Sequence, residues 1–293
     1  MSDTSPLENI PYQSPLKPVE LSLEDTIQFR CHKDIACFNE CCKRIDILLT
    51  PYDILRLKKH LKMSSNEFLA QYTVPYEMDQ QGMPGVKIRT ADDNPACPFL
   101  GENGCSVYED RPTVCRYYAL GLMSMRKEKS LTDENAYFLV KEDHCLGHNE
   151  SRTITIGDYR QEQCVEQYDE INREWRQLIL KKRSSGPAVG TPSVRSHQFF
   201  FLGSYNLDGL RDFVLSAGFS EIYNLSTEEF EPLKTDDVAL LKFGFRLLKQ
   251  VLFGEMSIPM KADATQTRAH RRRDQIKADA EDPNRNYEGP EVI

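Results

Sequence analysis

The sequence predicts an α+β protein, in which a cysteine-rich domain of short strands and helices is followed by a small helical unit. Three observations lead there. All nine cysteines lie between Cys31 and Cys164. Alternating and turn-rich stretches share that region with two capped helices. After it comes a run of small residues with Gly and Pro, beyond which the apolar residues keep a helical period.

A chain of 293 residues that is 40% apolar can bury a core without covalent staples, so a small disulfide scaffold is excluded. The opening residues show no charged region followed by an apolar one, and no stretch approaches about 18 consecutive apolar residues. The expectation is therefore a cytoplasmic protein with no membrane partner. In a reducing compartment, clustered thiols hold metal or do redox chemistry rather than form structural disulfides. A net charge of −8 speaks against nonspecific nucleic-acid binding.

Residues 1–24, rich in Pro and Ser, read as an extended arm. In the 25–183 domain, Thr50 is a helix N-cap, Pro51 takes the first helical position and Asp53 stands where a capping-box acid belongs, giving a helix over about Pro51–Leu61. Ser64 and Glu67 repeat the capping spacing, and Phe68, Leu69 and Tyr72 supply the apolar face of a second helix. Val86–Arg89 alternates, Pro98–Leu100 and Ser106–Tyr108 flank a Gly101–Gly104 turn, and Ala136–Lys141 is β-prone. Thr155 and Asp158 start a long helix to about Lys182, with Tyr168, Ile171, Trp175 and Leu178 on one side. Residues 184–196 form a linker. The helical accessory unit, 197–256, has one helix through Leu207, Leu210 and Val214 that stops at Gly218, and a second from Thr235 to Phe253. Residues 257–293, which include the basic Arg268–Arg273 run, read as a disordered, solvated tail.

The chemistry lies in the thiols. Cys31, Cys37, Cys41 and Cys42 form a C-x5-C-x3-C-C cluster, and thiolates suit zinc or the iron of a sulfide cluster. Short loops between ligands lower the entropy cost of closing a site. Side chains of adjacent residues diverge, so Cys41 and Cys42 are expected to serve different sites, or one of them to stand behind the other. Cys97, Cys105 and Cys115 follow on the turn-rich part, and Cys145 lies between His144 and His148. The histidines read as surface or capping residues. Cys164, on the long helix, reads as a packed side chain. Arg111 and Arg116 flank Cys115, where they could lower a thiol pKa, hold an anionic ligand, or pair with an acid to order the loop.

These residues resemble the YkgJ-type cysteine-cluster family, also called the CxxCxxCC zinc- or iron-chelating domain, to which flagellin lysine N-methylases are related. The likeness runs from the Phe29–Cys42 cluster through Leu49-Thr50-Pro51-Tyr52-Asp53-Ile54-Leu55-Arg56-Leu57. It continues in Cys97-Pro98-Phe99-Leu100, Cys105-Ser106-Val107-Tyr108, Arg111-Pro112-Thr113-Val114-Cys115-Arg116 and Cys145-Leu146-Gly147. The resemblance implies iron or zinc held by Cys31, Cys37, Cys41, Cys42, Cys97, Cys105, Cys115 and Cys145, with an iron–sulfur cluster as the favoured form. The methylase branch further implies S-adenosylmethionine as cofactor and a protein lysine as substrate. The C-x5-C-x3-C-C spacing is wider than the family's C-x2-C-x2-C-C, and no G-x-G-x-x-G loop accompanies it. An enzyme and a structural zinc-binding interaction module are therefore both open at this level.

Overall fold

The computed structural model describes residues 15–43, 46–80, 82–91, 93, 95–125, 134–184, 192–267, 269–270 and 273–274. It combines helices with antiparallel strands, as the sequence predicts, and falls into two compact units. One comprises Met1–Met63, Ala70–Tyr76 and Gly85–Gln177, the other Ser64–Leu69, Glu77–Pro84 and Leu178–Ile293. Residues 185–191 of the expected linker lie outside the described residues.

In chain order the early elements are β1 (Leu16–Leu21), β2 (Thr26–Gln28), β3 (Leu48–Leu49), α1 (Pro51–Leu61), α2 (Ser65–Tyr72), β4 (Thr73–Glu77) and β5 (Pro84–Ile88). Next come β6 (Leu100–Gly101), β7 (Gly104–Cys105), α3 (Thr113–Tyr117), β8 (Leu120–Met125), β9 (Glu134–Val140), β10 (Thr153–Thr155), α4 (Ile156–Glu162) and α5 (Glu166–Ser184). The strands make small sheets in the orders β1-β9-β8, β10-β2, β3-β5-β4 and β6-β7. Part of the stretch read as an extended arm is thus strand β1, paired antiparallel with β9.

Helix α1 forms where its caps place it. Thr50 Oγ1 accepts the Asp53 backbone N–H, Asp53 Oδ2 accepts that of Thr50, and Pro51 has no N–H to leave unsatisfied. Helix α5 is tied to it by Asn172, whose Oδ1 accepts from Tyr52 N at 3.2 Å and whose Nδ2 donates to Thr50 Oγ1 at 3.0 Å. One core gathers Ile27, Phe29, Tyr117, Ala119, Leu120, Tyr137, Ile154, Ile156, Tyr159 and Val165. The long helix expected from Thr155 to Lys182 is instead two helices. Cys164 turns left-handed (φ 53°), Val165 N bonds back to Arg160 O at 3.2 Å, and Val165 drops fully buried into that core. Neither Gly nor Pro announces this break, because burial of Val165 drives it.

The second unit carries α6 (Val194–Tyr205), α7 (Leu207–Leu215), α8 (Ala217–Ile222), α9 (Thr227–Leu233) and α10 (Asp237–Phe253). Helix α6 has no counterpart in the periodicity reading, since three successive phenylalanines blur its apolar face; its signal is the Ser193 cap, which accepts from Ser196 N at 3.1 Å. Helix α7 ends at Leu215 because Ser216 caps α8 by accepting from Phe219 N, so Gly218 lies inside α8 rather than stopping α7. The segment from Ser257, read as the start of a disordered tail, is anchored at Ile258 and at Ala264. Ile258 is fully buried and its N–H donates to Gln250 Oε1 at 3.0 Å, while Ala264 is also buried. Residues 275–293 lie outside the described residues.

Helices α6 and α10 meet at Gly203 and Gly244. A Cβ on Gly244 would stand 2.7 Å from the Gly203 carbonyl oxygen and 2.8 Å from Leu210 Cδ2. Gly244→Ala should therefore lower stability by ~1–3 kcal/mol, the cost of overpacking, despite alanine's better helix propensity. Urea unfolding tests this; equal or greater stability would mean that the helices can separate without strain.

Candidate metal centre

The first thiol segment holds its shape by successive turns. Ile35 N bonds His32 O, Phe38 N bonds Ile35 O, Glu40 N bonds Cys37 O, and Cys42 N bonds Asn39 O. Between Cys31 and Lys43 only Ile35 is buried, so little apolar packing fixes the segment. Upstream, Phe29 N donates to Arg152 O and Arg30 N to Gly147 O, each at 3.0 Å, which lays Cys31 beside the Cys145 turn. Gly147 is needed for that approach, because a Cβ there would lie 2.6 Å from the Phe29 ring and 3.1 Å from Arg30 O.

The other thiols arrive on separate elements. Cys97 N donates to Cys42 O at 2.8 Å, joining the first segment to the β6-β7 hairpin. In the hairpin Leu100 pairs with Cys105 and Leu100 N bonds Cys97 O at 3.0 Å. Cys115 rides on α3, whose first residue is anchored by buried Asp53: Thr113 N and Oγ1 donate to Asp53 Oδ1 at 2.8 and 2.7 Å. Leu146 N donates to Cys37 Sγ at 3.2 Å, binding the Cys145 turn to the first segment.

The structure thus brings together all eight thiols that the sequence singles out. Cys41 interacts electrostatically with Cys31, Cys42, Cys97, Cys105, Cys115 and Cys145, and its Sγ lies 3.9 Å from that of Cys42. Cys164 is apart, exposed, with its thiol near the Glu162 carbonyl at 3.8 Å. Among the described residues no three His, Cys, Asp or Glu side chains are closed tightly around one point, so the thiols are neighbours and not a finished coordination shell.

Their electrostatics follow from crowding and burial. Cys31 is exposed, yet the protein crowded around its thiol desolvates it and pushes it up to about 11, with Cys41, Cys37 and Cys145 adding to the rise and Arg111 opposing. Burial also raises Cys115, and Cys97 and Asp53 add to the rise. Cys97, Cys105 and Cys145 are raised by burial as well, and each is countered by a backbone N–H two residues on, from Phe99, Val107 and Gly147. Such N–H groups stabilise thiolate, which is the form that binds metal. Glu142 and Cys145 flank Tyr118, whose phenol burial drives up first.

The two arginines divide the roles the sequence left open. Arg116 is buried and bonds the Arg111 and Gln163 carbonyls at 3.0 and 2.8 Å and Tyr168 Oη at 3.1 Å, so it orders the loop through carbonyls rather than an acid. Arg111, also buried, donates to Tyr108 O and Gln163 Oε1, each at 2.7 Å, and stacks on the Tyr108 ring at 3.9 Å. Among the described residues no carboxylate pairs with it, and its charge opposes the rise at Cys31 and Cys105. His144 lies 3.6 Å from Glu142 at the surface, as expected, whereas His148, read as a surface or capping residue, is buried against the Phe29 ring and bonds Val140 O at 3.0 Å.

Residues 30–146 match the CxxCxxCC family model, a putative zinc- or iron-chelating domain. No curated protein and no solved structure gives a match. The match begins one residue before Cys31 and ends just after Cys145, so it spans all eight thiols and omits Cys164. The likeness to flagellin methylases is carried by the sequence resemblance alone. The thiols fit an ion or cluster that prefers sulfur: the donors are soft, and backbone N–H groups face several of them. Among the described residues no helix is long and apolar enough to cross a membrane.

Between Cys105 and Cys115 in the chain, Asp110 fixes the turn before Arg111. Its Oδ1 accepts from Arg56 Nε at 2.6 Å and its Oδ2 lies 2.8 Å from His60 Nδ1. Burial raises the Asp110 carboxyl, but His60 and Arg56 outweigh it and hold the group below the ordinary 3.8. A lowered carboxyl contributes stability above its unfolded value, and that contribution is lost as pH falls through the folded value. Asp110→Asn should therefore be less stable than the parent by ~1.5–3 kcal/mol at neutral pH, with the gap closing below about pH 4. Chemical denaturation at both pH values measures this; a gap that persists in acid would mean that the carboxylate charge is not its source.

Proposed function

We propose that the chelating domain holds iron in an iron–sulfur cluster ligated by cysteine thiolates. The observation that carries this reading is the convergence of Cys31, Cys37, Cys41, Cys42, Cys97, Cys105, Cys115 and Cys145 from four separate stretches of chain. Thiolates in such number repel one another, and a cation among them turns that repulsion into attraction. Support for a sulfur-ligated anionic centre also comes from the N–H groups aimed at Cys37, Cys97, Cys105 and Cys145 and from the Arg111 charge.

The test is anaerobic purification of the full chain, with iron, zinc and acid-labile sulfide measured against protein and the visible spectrum recorded. Iron with matching sulfide and a brown colour is expected. Colourless protein carrying stoichiometric zinc would leave chelation standing and remove the cluster. Methyl transfer to a protein lysine, implied by the resemblance, is tested on the metal-loaded protein by calorimetry with S-adenosylmethionine; no binding heat rejects it.

A further inference from the structure

We infer that Cys41 and Cys42 form a vicinal dithiol site for a trivalent arsenical, a thiophilic class of ligand that two protein sulfurs satisfy. The inference goes beyond metal chelation, because it needs no third donor and holds whichever metal the other thiols serve.

The site follows from the local backbone. Neighbouring cysteines in a strand point to opposite faces. Here Glu40–Cys42 is a single 3-10 turn, in which successive side chains stand only about 120° apart. Asn39 opens the turn in the left-handed region (φ 70°), and Cys42 N bonds Asn39 O at 3.0 Å. Lys43 N bonds Glu40 O at 3.1 Å, and Cys97 N donates to Cys42 O at 2.8 Å, which ties the end of the turn from outside. In place of the expected divergence, the two sulfurs lie 3.9 Å apart. Both side chains are half-buried and reachable by a small reagent, whereas Cys97 is buried.

The number of donors selects the ligand. Among the described residues no three His, Cys, Asp or Glu side chains close around one point, yet these two sulfurs already meet. A centre with two exchangeable bonds therefore fits the pair better than an ion that needs three or four ligands. An organoarsenous acid, R–As(OH)2, is such a centre, and its arsenic prefers soft sulfur to oxygen. Two As–O bonds break and two As–S bonds form, while the thiol hydrogens leave with the hydroxyl groups as two waters. Arsenic stays trivalent, so no oxidant or reductant is consumed. The second As–S bond is intramolecular, which multiplies the affinity of the first. Adjacency in the chain keeps the thiols together even where the turn loosens. Exposed Cys164, apart from the other thiols, can make one such bond only.

Phenylarsine oxide is the probe. Full-length protein, stripped of metal by a chelator and kept reduced, should bind one equivalent first, counted by native mass spectrometry. Cleavage at Lys33 and Lys43 releases Asp34–Lys43, which holds Cys37, Cys41 and Cys42 and should carry the adduct. Cys37→Ser and Cys164→Ser should bind as the parent does. Cys41→Ser and Cys42→Ser should each bind about 100-fold more weakly, the loss of the intramolecular second bond. Circular dichroism establishes which variants are folded, and the peptide map of the parent decides alone if either of the last two is not. A first equivalent on any other peptide, full affinity in a folded Cys41 or Cys42 variant, or no adduct on the parent overturns the assignment. Metal is measured before stripping, so a failure of thiolate–metal ligation shows there and not in arsenical uptake.

Discussion

Cys41→Ser should lower metal content more than any other single cysteine substitution, and should weaken metal affinity by more than about 100-fold, the upper end of what losing even an outer partner costs a metal site. The reason is position. Cys41 stands where the first segment, the β6-β7 hairpin and α3 converge, and it interacts with thiols delivered by each. A serine hydroxyl there remains protonated at neutral pH and offers a hard oxygen in place of a soft sulfur. Elemental analysis of the purified variant and competition against a chromophoric chelator give content and affinity. Cys164→Ser is the matched control, since that thiol is exposed and interacts with none of the other eight. A Cys41 variant with full metal beside a depleted Cys164 variant would mean that the wrong thiols have been assigned.

The elements most legible in the sequence are those that local chemistry alone decides. Thr50, Pro51 and Asp53 fix the start of α1 by satisfying its first N–H groups, so its boundaries follow from capping. The Gly101–Gly104 turn likewise places the β6-β7 hairpin. The eight thiols could be singled out because they recur at short, motif-like spacings, and the fold makes them neighbours. What could not be read is what tertiary packing decides. The break at Cys164 comes from burying Val165, and α6 hides behind Phe199, Phe200 and Phe201, which face different neighbours: Phe199 meets Phe213, whereas Phe200 and Phe201 meet Tyr205. The role of Asp53 in anchoring Thr113 was equally out of reach, since the two residues are 60 apart in sequence. A capping acid gives no sign that its second oxygen holds another helix.

Metal withdrawal should produce the largest change of all, and it should be local first. Cys31–Lys43 buries only Ile35, and its internal hydrogen bonds are single turns, which are individually marginal in water. A structural metal contributes an apparent ~10–16 kcal/mol at neutral pH, far more than this segment's own packing. Hydrogen exchange on protein treated with a strong chelator should therefore show the amides of Cys31–Lys43 losing protection, while Asp53 and Asn172 keep α1 slow by contacts that contain no thiol. The pH dependence follows from the raised thiols. Without metal, Cys31 is held at about 11, above the ordinary 9.0, and the protonated thiol is the form the folded chain favours. Its contribution is present below about pH 9 and is lost as pH rises through 11, so the metal-free protein should weaken in alkali where the metal-bound protein does not. Binding must also expel those protons, so affinity should fall up to about tenfold per pH unit for each proton released as the solution is acidified. Unchanged exchange in Cys31–Lys43 after complete metal removal would show that the turns, not the metal, hold the segment.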